Sequence, residues 1–566
     1  MSKIPCMEAV AQVLESEGVD TVFGIPGAAI LPLYAALRKS GIKHLTVRHE
    51  EGGTHAADGW ARATGKVGVT LGTSGPAGTN MITGLYTALA DSIPLLCITG
   101  QAPRARPHQE ARQAVDIVEI ARPVTKWAVR LEEPGQAPWV FREAFRIARS
   151  GRPGPVLIDL PLDVQRGFCS YDPAMDAALP VCLPEPRSEP VRAAVDMLLA
   201  ARRPLILAGG GVIGGEAWEE LRDLAEYLQV PVQVTLLGKG AFPEDHPLFA
   251  GMGGIQPRTG WGNAAFLESD LVLAVGTRFG DRYTGDLDTY RRGRTFIHVD
   301  IEPTQLGKAF EPDLGIVGHA KPTLAALDAH ARHRAPRRDP GPWADRVAEL
   351  RGTLPRPDAV PTKPPRVYRE INDAFGPDTT FVTATGLAQI WSGPSQRTFR
   401  PRHHLARGEA GPPGWEIPAA IGVRCARPDK PVVAVVGDNS FQFPMEELAV
   451  AARYRIPFVI VMVHSEYPGQ LRQTGLGYDV GDVVDGEGGI DHVKLMEAFG
   501  CPARRVERPG EIAGALRWAT LEAESTQLPV LVEVMVERGA DAAVGASLDT
   551  ITEFEPVPVL VPAEAP

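Results

Sequence analysis

Short apolar runs rich in β-branched residues alternate with helix-like segments along most of the chain. Such runs, without polar alternation, are typical of parallel strands covered by helices on both faces. The pattern therefore predicts an α/β fold of doubly wound parallel sheets. The predicted strands are residues 67–71, 94–99, 156–160, 204–208, 271–275, 295–299, 380–383, 432–436, 458–463 and 530–536.

Two proline-rich stretches, residues 167–190 and 334–365, interrupt this rhythm and are interpreted as connections between domains. A chain of 566 residues is too long for one core. We therefore predict three α/β domains, at 1–165, 190–330 and 365–545, followed by a loosely docked tail at 546–566.

Charge and cysteine content narrow the class of protein. Lys plus Arg number 58 and Asp plus Glu 69, a net charge of −11, so nucleic acid is not an expected partner. No apolar stretch reaches membrane-spanning length. The six cysteines are scattered without a C-x-x-C pair, which predicts neither a disulfide framework nor a zinc knuckle. A soluble, cytoplasmic protein is expected.

The segment 435–466 carries the strongest chemical signal. An apolar strand ends at Gly437 and Asp438, an amphipathic helix follows, and a second apolar strand ends at His464 and Ser465. A right-handed crossover puts both strand ends on one sheet edge, so Asp438 and Ser465 are predicted neighbours. Taken alone, Gly-Asp is also compatible with an ordinary turn. A carboxylate and a hydroxyl beside a helix N-terminus would suit a hard divalent cation clamped to a diphosphate.

A second motif, R-H-E-E-G-G-T-H at residues 48–55, has three interpretations. A zinc site of the H-E-x-x-H type fails because Gly53 replaces the second histidine. A plain helix start is possible because Glu50 and Glu51 would favour the N-terminal dipole. The third interpretation comes from a family resemblance that also involves the segment 435–466 and is given next.

Read together, these motifs resemble the thiamin-diphosphate-dependent, acetolactate-synthase-like family. The resemblance implies that Mg²⁺ is held by Asp438, Ser465 and the carbonyl of Tyr467, and that Glu50 protonates the cofactor's aminopyrimidine. In this chain Asn439 and His464–Ser465 depart from the family's G-D-G and N-N. Further residues implied to contact thiamin diphosphate are Gly27, Ala28, Ser74, Gly386, Leu387, Gly411, Pro413, Gly437, Asn439, Ser440 and Tyr467. Ser74 is not a nucleophile elbow, because Pro76 stands where glycine is required.

The middle domain resembles the FAD-binding domain of the same family, where the flavin has a structural role. The resemblance implies that FAD is bound by Gly209, Gly210, Gly211, Thr235, Leu236, Gly276, Arg278, Asp300 and Ile301. It also implies that Gln101 reaches the reaction intermediate and that Arg282 holds the carboxylate of the second substrate, a role that suits a guanidinium.

Passages outside the cofactor motifs, including 96–106, 282–285 and 545–549, resemble the branch that joins two glyoxylate molecules. The expected function is thus decarboxylating carboligation of small 2-oxoacids, giving tartronate semialdehyde and CO₂ from glyoxylate. That branch has valine at the position of Glu50. The alternatives are acetolactate synthesis from pyruvate, another thiamin-dependent reaction, and a flavin- or nucleotide-binding protein without catalysis. A homodimer or homotetramer with active sites between subunits is expected.

Overall fold

Three six-stranded parallel sheets carry the fold in the computed structural model, which describes residues 2–105, 111–351, 357–465, 489–537 and 545–550. Helices flank each sheet, so the predicted α/β class is confirmed. Among the described residues, no helix is both long and apolar enough to span a bilayer.

The first sheet has the order β3-β2-β4-β5-β7-β6, and a small antiparallel pair, β1 with β8, lies beside it. The strands are β1 (Ser2–Pro5), β2 (Thr21–Gly24), β3 (Lys43–Thr46), β4 (Gly68–Gly72), β5 (Leu95–Gln101), β6 (Trp127–Arg130), β7 (Val156–Pro161) and β8 (Phe168–Tyr171). The helices are α1 (Cys6–Ser16), α2 (Leu31–Leu37), α3 (Glu50–Thr64), α4 (Pro76–Asn80), α5 (Ile82–Asp91), α6 (Ile117–Ala121), α7 (Ala137–Arg149) and α8 (Leu162–Gln165).

The second sheet has the order β11-β10-β9-β12-β13-β14, the doubly wound arrangement typical of dinucleotide-binding domains. Its strands are β9 (Pro204–Ala208), β10 (Val232–Val234), β11 (Phe249–Met252), β12 (Leu271–Val275), β13 (Thr295–Asp300) and β14 (Leu314–Val317). The helices are α9 (Ser188–Ala200), α10 (Gly210–Gly214), α11 (Trp218–Leu228), α12 (Gly260–Glu268), α13 (Asp281–Thr284), α14 (Leu287–Arg291), α15 (Ala320–Arg334) and α16 (Pro342–Leu350).

The third sheet, β16-β15-β17-β18-β20-β19, repeats the strand order of the first. Its strands are β15 (Thr380–Thr383), β16 (His404–Ala406), β17 (Val432–Gly437), β18 (Val459–His464), β19 (Ala503–Val506) and β20 (Val530–Met535). The helices are α17 (Pro364–Ala374), α18 (Leu387–Ser395), α19 (Glu416–Ala426), α20 (Asp438–Phe441), α21 (Leu448–Arg453), α22 (His492–Ala498) and α23 (Ile512–Thr526).

Helices α3 and α19 join the first and third domains through direct backbone contact. A Cβ on Gly59 would lie 2.4 Å from the Ala419 carbonyl oxygen, and one on Gly422 would lie 1.9 Å from that of Ala56. Beside this contact, Trp415 donates a 2.8 Å hydrogen bond to the buried Asp58. The two helices therefore cross too closely for any side chain to fit between them.

One local expectation was wrong, and a helix was missed within another segment. The single amphipathic helix predicted after Asp438 is split into α20, a 3-10 turn (Met445–Glu447) and α21, because Pro444 has no backbone N–H to continue a helix. The proline-rich stretch 334–365 contains α16, which begins at Pro342 and buries Trp343 and Val347 on the middle domain. Proline is compatible with the first position of a helix, so the composition of this stretch concealed it.

Candidate active site

The carboxyl ends of β15 and β17 form the point in the third sheet where strand order reverses, which is where open α/β sheets bind ligands. Gly386 follows β15 with φ of 76° and precedes α18, while Gly437 ends β17. A Cβ built on either glycine meets no atom of the described residues within 4 Å. The backbone is therefore open at this edge, as a diphosphate group would require.

Asp438 begins α20 at this edge, and the crossover to β18 brings His464 beside it. The Oδ2 atom of Asp438 lies 3.6 Å from Nε2 of His464, and the strands pair with Gly437 opposite Val463. Burial raises the pKa of Asp438, and His464 acts in the opposite direction. Ser465 is buried at the end of the same strand, whereas Tyr467 lies outside the described residues.

The other side of His464 meets a buried carboxylate, Glu533 of β20. The Nδ1 atoms of His464 and His492 lie 2.7 and 2.9 Å from Glu533 Oε1, and Arg505 donates to Oε2 at 2.7 Å. Burial alone would raise the pKa of Glu533, but these three partners hold it well below its usual range. Glu533 is therefore an ionised carboxylate.

Among the other residues of the third domain that were predicted to contact the cofactor, one forms hydrogen bonds within the protein and the rest are exposed or half-buried. Ser440 is buried, donates a 2.6 Å hydrogen bond to Glu416 Oε1 and accepts one from the Gly414 N–H. Its hydroxyl therefore fixes the loop before α19. Of the other four, Asn439 and Pro413 are exposed, and Leu387 and Gly411 are half-buried.

Glu50 is the first residue of α3 and is buried, with 9% of its surface exposed. Asn80 Nδ2 donates a 2.9 Å hydrogen bond to its Oε2. His49 caps the helix by accepting from the Glu51 N–H. The carboxylate is thus held in one orientation at the positive end of a helix, which suits proton exchange with a basic ring nitrogen.

A second acid, Glu447 of the third domain, supports the start of α3. Its Oε1 accepts hydrogen bonds from the N–H groups of Arg48 and His49 at 3.0 and 2.9 Å. Its Oε2 is buried and has no hydrogen-bond partner within the part of the chain that the structure describes. Burial raises the pKa of Glu447 to about 7, against the two backbone hydrogen bonds. Glu447 therefore couples the position of Glu50 to the third domain.

The predicted residues of the first domain lie at the carboxyl ends of β2, β4 and β5. Gly27 packs so closely on Thr73 that a Cβ would lie 2.5 Å from its side chain, and Ala28 is exposed beside it. Ser74 is buried before α4. The Gln101 amide donates to the Val115 carbonyl at 2.8 Å and to Asp159 at 3.2 Å. Gln101 is thus anchored within its own domain.

A cavity of about 990 Å³ opens at the strand-order reversal of the middle domain, between β9 and β12. Among the residues predicted to bind FAD, those that line it are Gly210, Gly211, Thr235, Leu236, Gly276, Arg278, Asp300 and Ile301. Gly209 lies behind it, where a Cβ would come 2.2 Å from the Gly276 carbonyl oxygen. Such a cavity at this topological position fits a dinucleotide.

Three charged side chains that line this cavity are Asp300, Arg278 and Arg282. Asp300 ends β13, and burial raises its pKa to about 6. A carboxylate at such a strand end can accept hydrogen bonds from ribose hydroxyls. Arg278 bonds to the Ala90 carbonyl and lies 3.8 Å from Asp91, both in the first domain. Arg282 is exposed in α13 and also lines the cavity.

Three of the residues that shape the site were not predicted as contacts. Asn80 lies six residues after the predicted contact Ser74, but nothing in the sequence linked it to Glu50. The sequence did contain a sign that Glu533 has partners, because it is the one acid inside the apolar run of β20 and a buried acid rarely lacks partners. Glu447 had none, because its partners lie almost 400 residues away in the chain.

Comparison with known proteins agrees with this division into three parts. Residues 5–120 match the model for the thiamine pyrophosphate enzyme N-terminal TPP binding domain, 191–327 the central domain and 384–534 the C-terminal TPP binding domain. The chain is 48% identical to glyoxylate carboligase of Escherichia coli O157:H7, covering 98% of this chain and 97% of that protein. It is 40% identical to a probable acetolactate synthase large subunit of Methanocaldococcus jannaschii (94% and 91% covered) and to acetolactate synthase of Mycobacterium bovis (95% and 88%).

Proposed function

The chain belongs to the thiamine pyrophosphate enzyme family, as its motifs predicted, and from this premise we propose that it joins two glyoxylate molecules with loss of CO₂. The observation that carries the choice of substrate is the 48% identity to a glyoxylate carboligase, against 40% for the two acetolactate synthases above. The product would be tartronate semialdehyde.

Acetolactate synthesis from pyruvate is the second candidate, and Glu50 favours it. The glyoxylate-joining branch is expected to have valine there, whereas this chain has a buried glutamate fixed by Asn80. Pyruvate has a larger substituent than glyoxylate and requires more room in the site, but both reactions are decarboxylating carboligations of 2-oxoacids. The choice between the candidates therefore rests on substrate preference.

The residues at the third-domain edge suit thiamin diphosphate. Gly386 and Gly437 leave the backbone open for the diphosphate, and the oxygen donors Asp438 and Ser465 suit a divalent cation, for which Mg²⁺ is the family's ion. When bound, the cofactor supplies the carbon nucleophile and the electron sink for decarboxylation. Glu50 holds and returns the proton that this chemistry needs, Asn80 orients its carboxyl group, and Arg282 is proposed to meet the carboxylate of the second oxoacid.

FAD is proposed as a structural cofactor in the 990 Å³ cavity. Close packing of Gly211 on Gly276 lets the backbone approach a ligand, and Asp300 supplies an acceptor for ribose hydroxyls. Because the cavity is also lined by Gln389 of the third domain and Arg152 of the first, a flavin there would tie the three domains together.

A homodimer or homotetramer is proposed, with each active site between two subunits. The proposal is supported by large apolar side chains exposed near the site residues: Leu31 after the Gly27 loop, Tyr86 on α5 and Phe443 after α20 are 53%, 47% and 64% exposed. A second copy would cover them. The cysteines are free thiols, in keeping with the expected cytoplasmic location.

The test is CO₂ release by the purified protein supplied with thiamin diphosphate and Mg²⁺, on glyoxylate and pyruvate in parallel. We expect a higher kcat/KM for glyoxylate. A preference for pyruvate would select the second candidate. Turnover of neither 2-oxoacid, with thiamin diphosphate bound, would reject both.

A further inference from the structure

A chain of polar groups runs from the half-buried Asp438 through the buried His464 to the buried Glu533. His464 presents Nδ1 to Glu533 at 2.7 Å and Nε2 to Asp438 at 3.6 Å. Arg505 is bonded to the far oxygen of Glu533. The imidazole therefore lies between a structural carboxylate and the carboxylate placed at the diphosphate edge.

The hydrogen bond to Glu533 decides which nitrogen of His464 carries a proton. Glu533 forms an ion pair with Arg505 through Oε2, and its Oε1 faces the Nδ1 atoms of two imidazoles, so this carboxylate accepts and Nδ1 of His464 donates. In the neutral ring, Nε2 then has its lone pair on the side of Asp438. A histidine whose second nitrogen donates to a carboxylate is the usual arrangement of a metal-bound imidazole.

The distances separate a metal-binding pair from a hydrogen-bonded pair. Ligands about 2.1 Å from an ion are roughly 3.0 to 3.4 Å apart in octahedral and tetrahedral geometry. The 3.6 Å between His464 Nε2 and Asp438 Oδ2 is close to this separation. The contacts of His464 and His492 with Glu533, at 2.7 and 2.9 Å, are instead ordinary hydrogen bonds. Although these three side chains could group around an ion, that cluster is better explained as the support for His464.

We propose that His464 Nε2 and the Asp438 carboxylate are ligands of one divalent cation, and that the site therefore prefers Mn²⁺ or Co²⁺ to Mg²⁺. Imidazole suits these ions, whereas Mg²⁺ prefers an all-oxygen shell. The inference rests on the proposed function, because it concerns the cation that would anchor thiamin diphosphate. Under this inference, His464 determines which cation the site binds.

The experiment uses the full chain, freed of metal with a chelator and saturated with thiamin diphosphate. Mn²⁺ binding is measured by electron paramagnetic resonance, Mg²⁺ affinity by competition, and coordinated nitrogen by ¹⁴N echo modulation of the bound Mn²⁺. His464→Asn removes the proposed nitrogen ligand. His492→Asn is the matched control, since His492 bonds to the same Glu533 oxygen and its Nδ1 is not directed at Asp438.

We expect bound Mn²⁺ to show imidazole nitrogen modulation and at least tenfold tighter binding than Mg²⁺. His464→Asn should abolish the modulation and reduce the Mn²⁺ to Mg²⁺ affinity ratio about tenfold, and His492→Asn should keep both. Wild-type Mn²⁺ without nitrogen modulation would overturn the inference and leave His464 as a charged bridge between two acids; absence of any cation binding would overturn it too. Carboligation is assayed separately, so its absence with nitrogen-coupled Mn²⁺ present would reject the proposed function alone.

Discussion

Glu447 gives a pH dependence of stability that can be worked out from its surroundings. Burial raises its pKa from 4.5 to about 7, so the folded protein holds a proton that the unfolded chain releases. That difference corresponds to about 3 kcal/mol. The contribution is fully present below pH 4.5 and is lost as the pH rises through about 7.

The perturbation is Glu447→Gln, which keeps an oxygen for the N–H groups of Arg48 and His49 but cannot ionise. The assay is unfolding of both proteins at a series of pH values. The stability of wild type relative to the variant should fall by about 3 kcal/mol between pH 4.5 and 8. Glu524→Gln, on the exposed side of α23, is the control and should give curves parallel to wild type.

Parallel curves for wild type and Glu447→Gln would refute the reasoning, because they would mean that Glu447 has the same pKa in both states. A relative stability that rises with pH would show that the backbone hydrogen bonds outweigh burial. Either result would reject the hypothesis that protonated Glu447 stabilises the start of α3.

Three further results are expected. Glu50→Gln should lower kcat at least 100-fold, as loss of an acid-base group does, while thiamin diphosphate affinity measured by fluorescence quenching stays within a few fold. Gly422→Ala should destabilise the protein by about 1–3 kcal/mol in thermal unfolding, because its Cβ would lie 1.9 Å from a carbonyl oxygen of α3. Gly514→Ala should not, because no atom of a described residue lies within 4 Å of the added Cβ. Gly211→Val should lower the flavin released on denaturation, because its Cβ would lie 2.7 Å from the backbone of the loop after β12. Gly341→Val should retain the flavin, because no atom of a described residue lies within 4 Å of a Cβ added there and this glycine does not line the cavity.

The sequence was sufficient for the parts of the fold that follow from local pattern. The buried run V-V-A-V-V at 432–436 predicted β17, and the crossover predicted that the Asp438 and His464–Ser465 strand ends lie side by side. Parallel strands with apolar residues on both faces leave few other arrangements.

The rest depends on distances between remote parts of the chain. The contact of Glu447 with the start of α3 joins two domains, and no local pattern encodes it. No local pattern predicts the hydrogen bond between His464 and Glu533 either, since it joins two different strands. Through this bond, His464 belongs to a network of charged and polar side chains. Motifs predicted which residues carry the chemistry, but only the fold shows what orients them.

The crossing of α3 and α19 also limits how the enzyme can move. Since Gly59 and Gly422 put backbone against backbone, neither helix can slide or rotate without breaking several contacts at once. The first and third domains should therefore behave as one rigid body, so that the distance between Glu50 and the third domain stays constant. Opening for substrate entry is then left to the middle domain, and hinge motion should be sought at residues 172–187 and 357–361, which lie between regular elements.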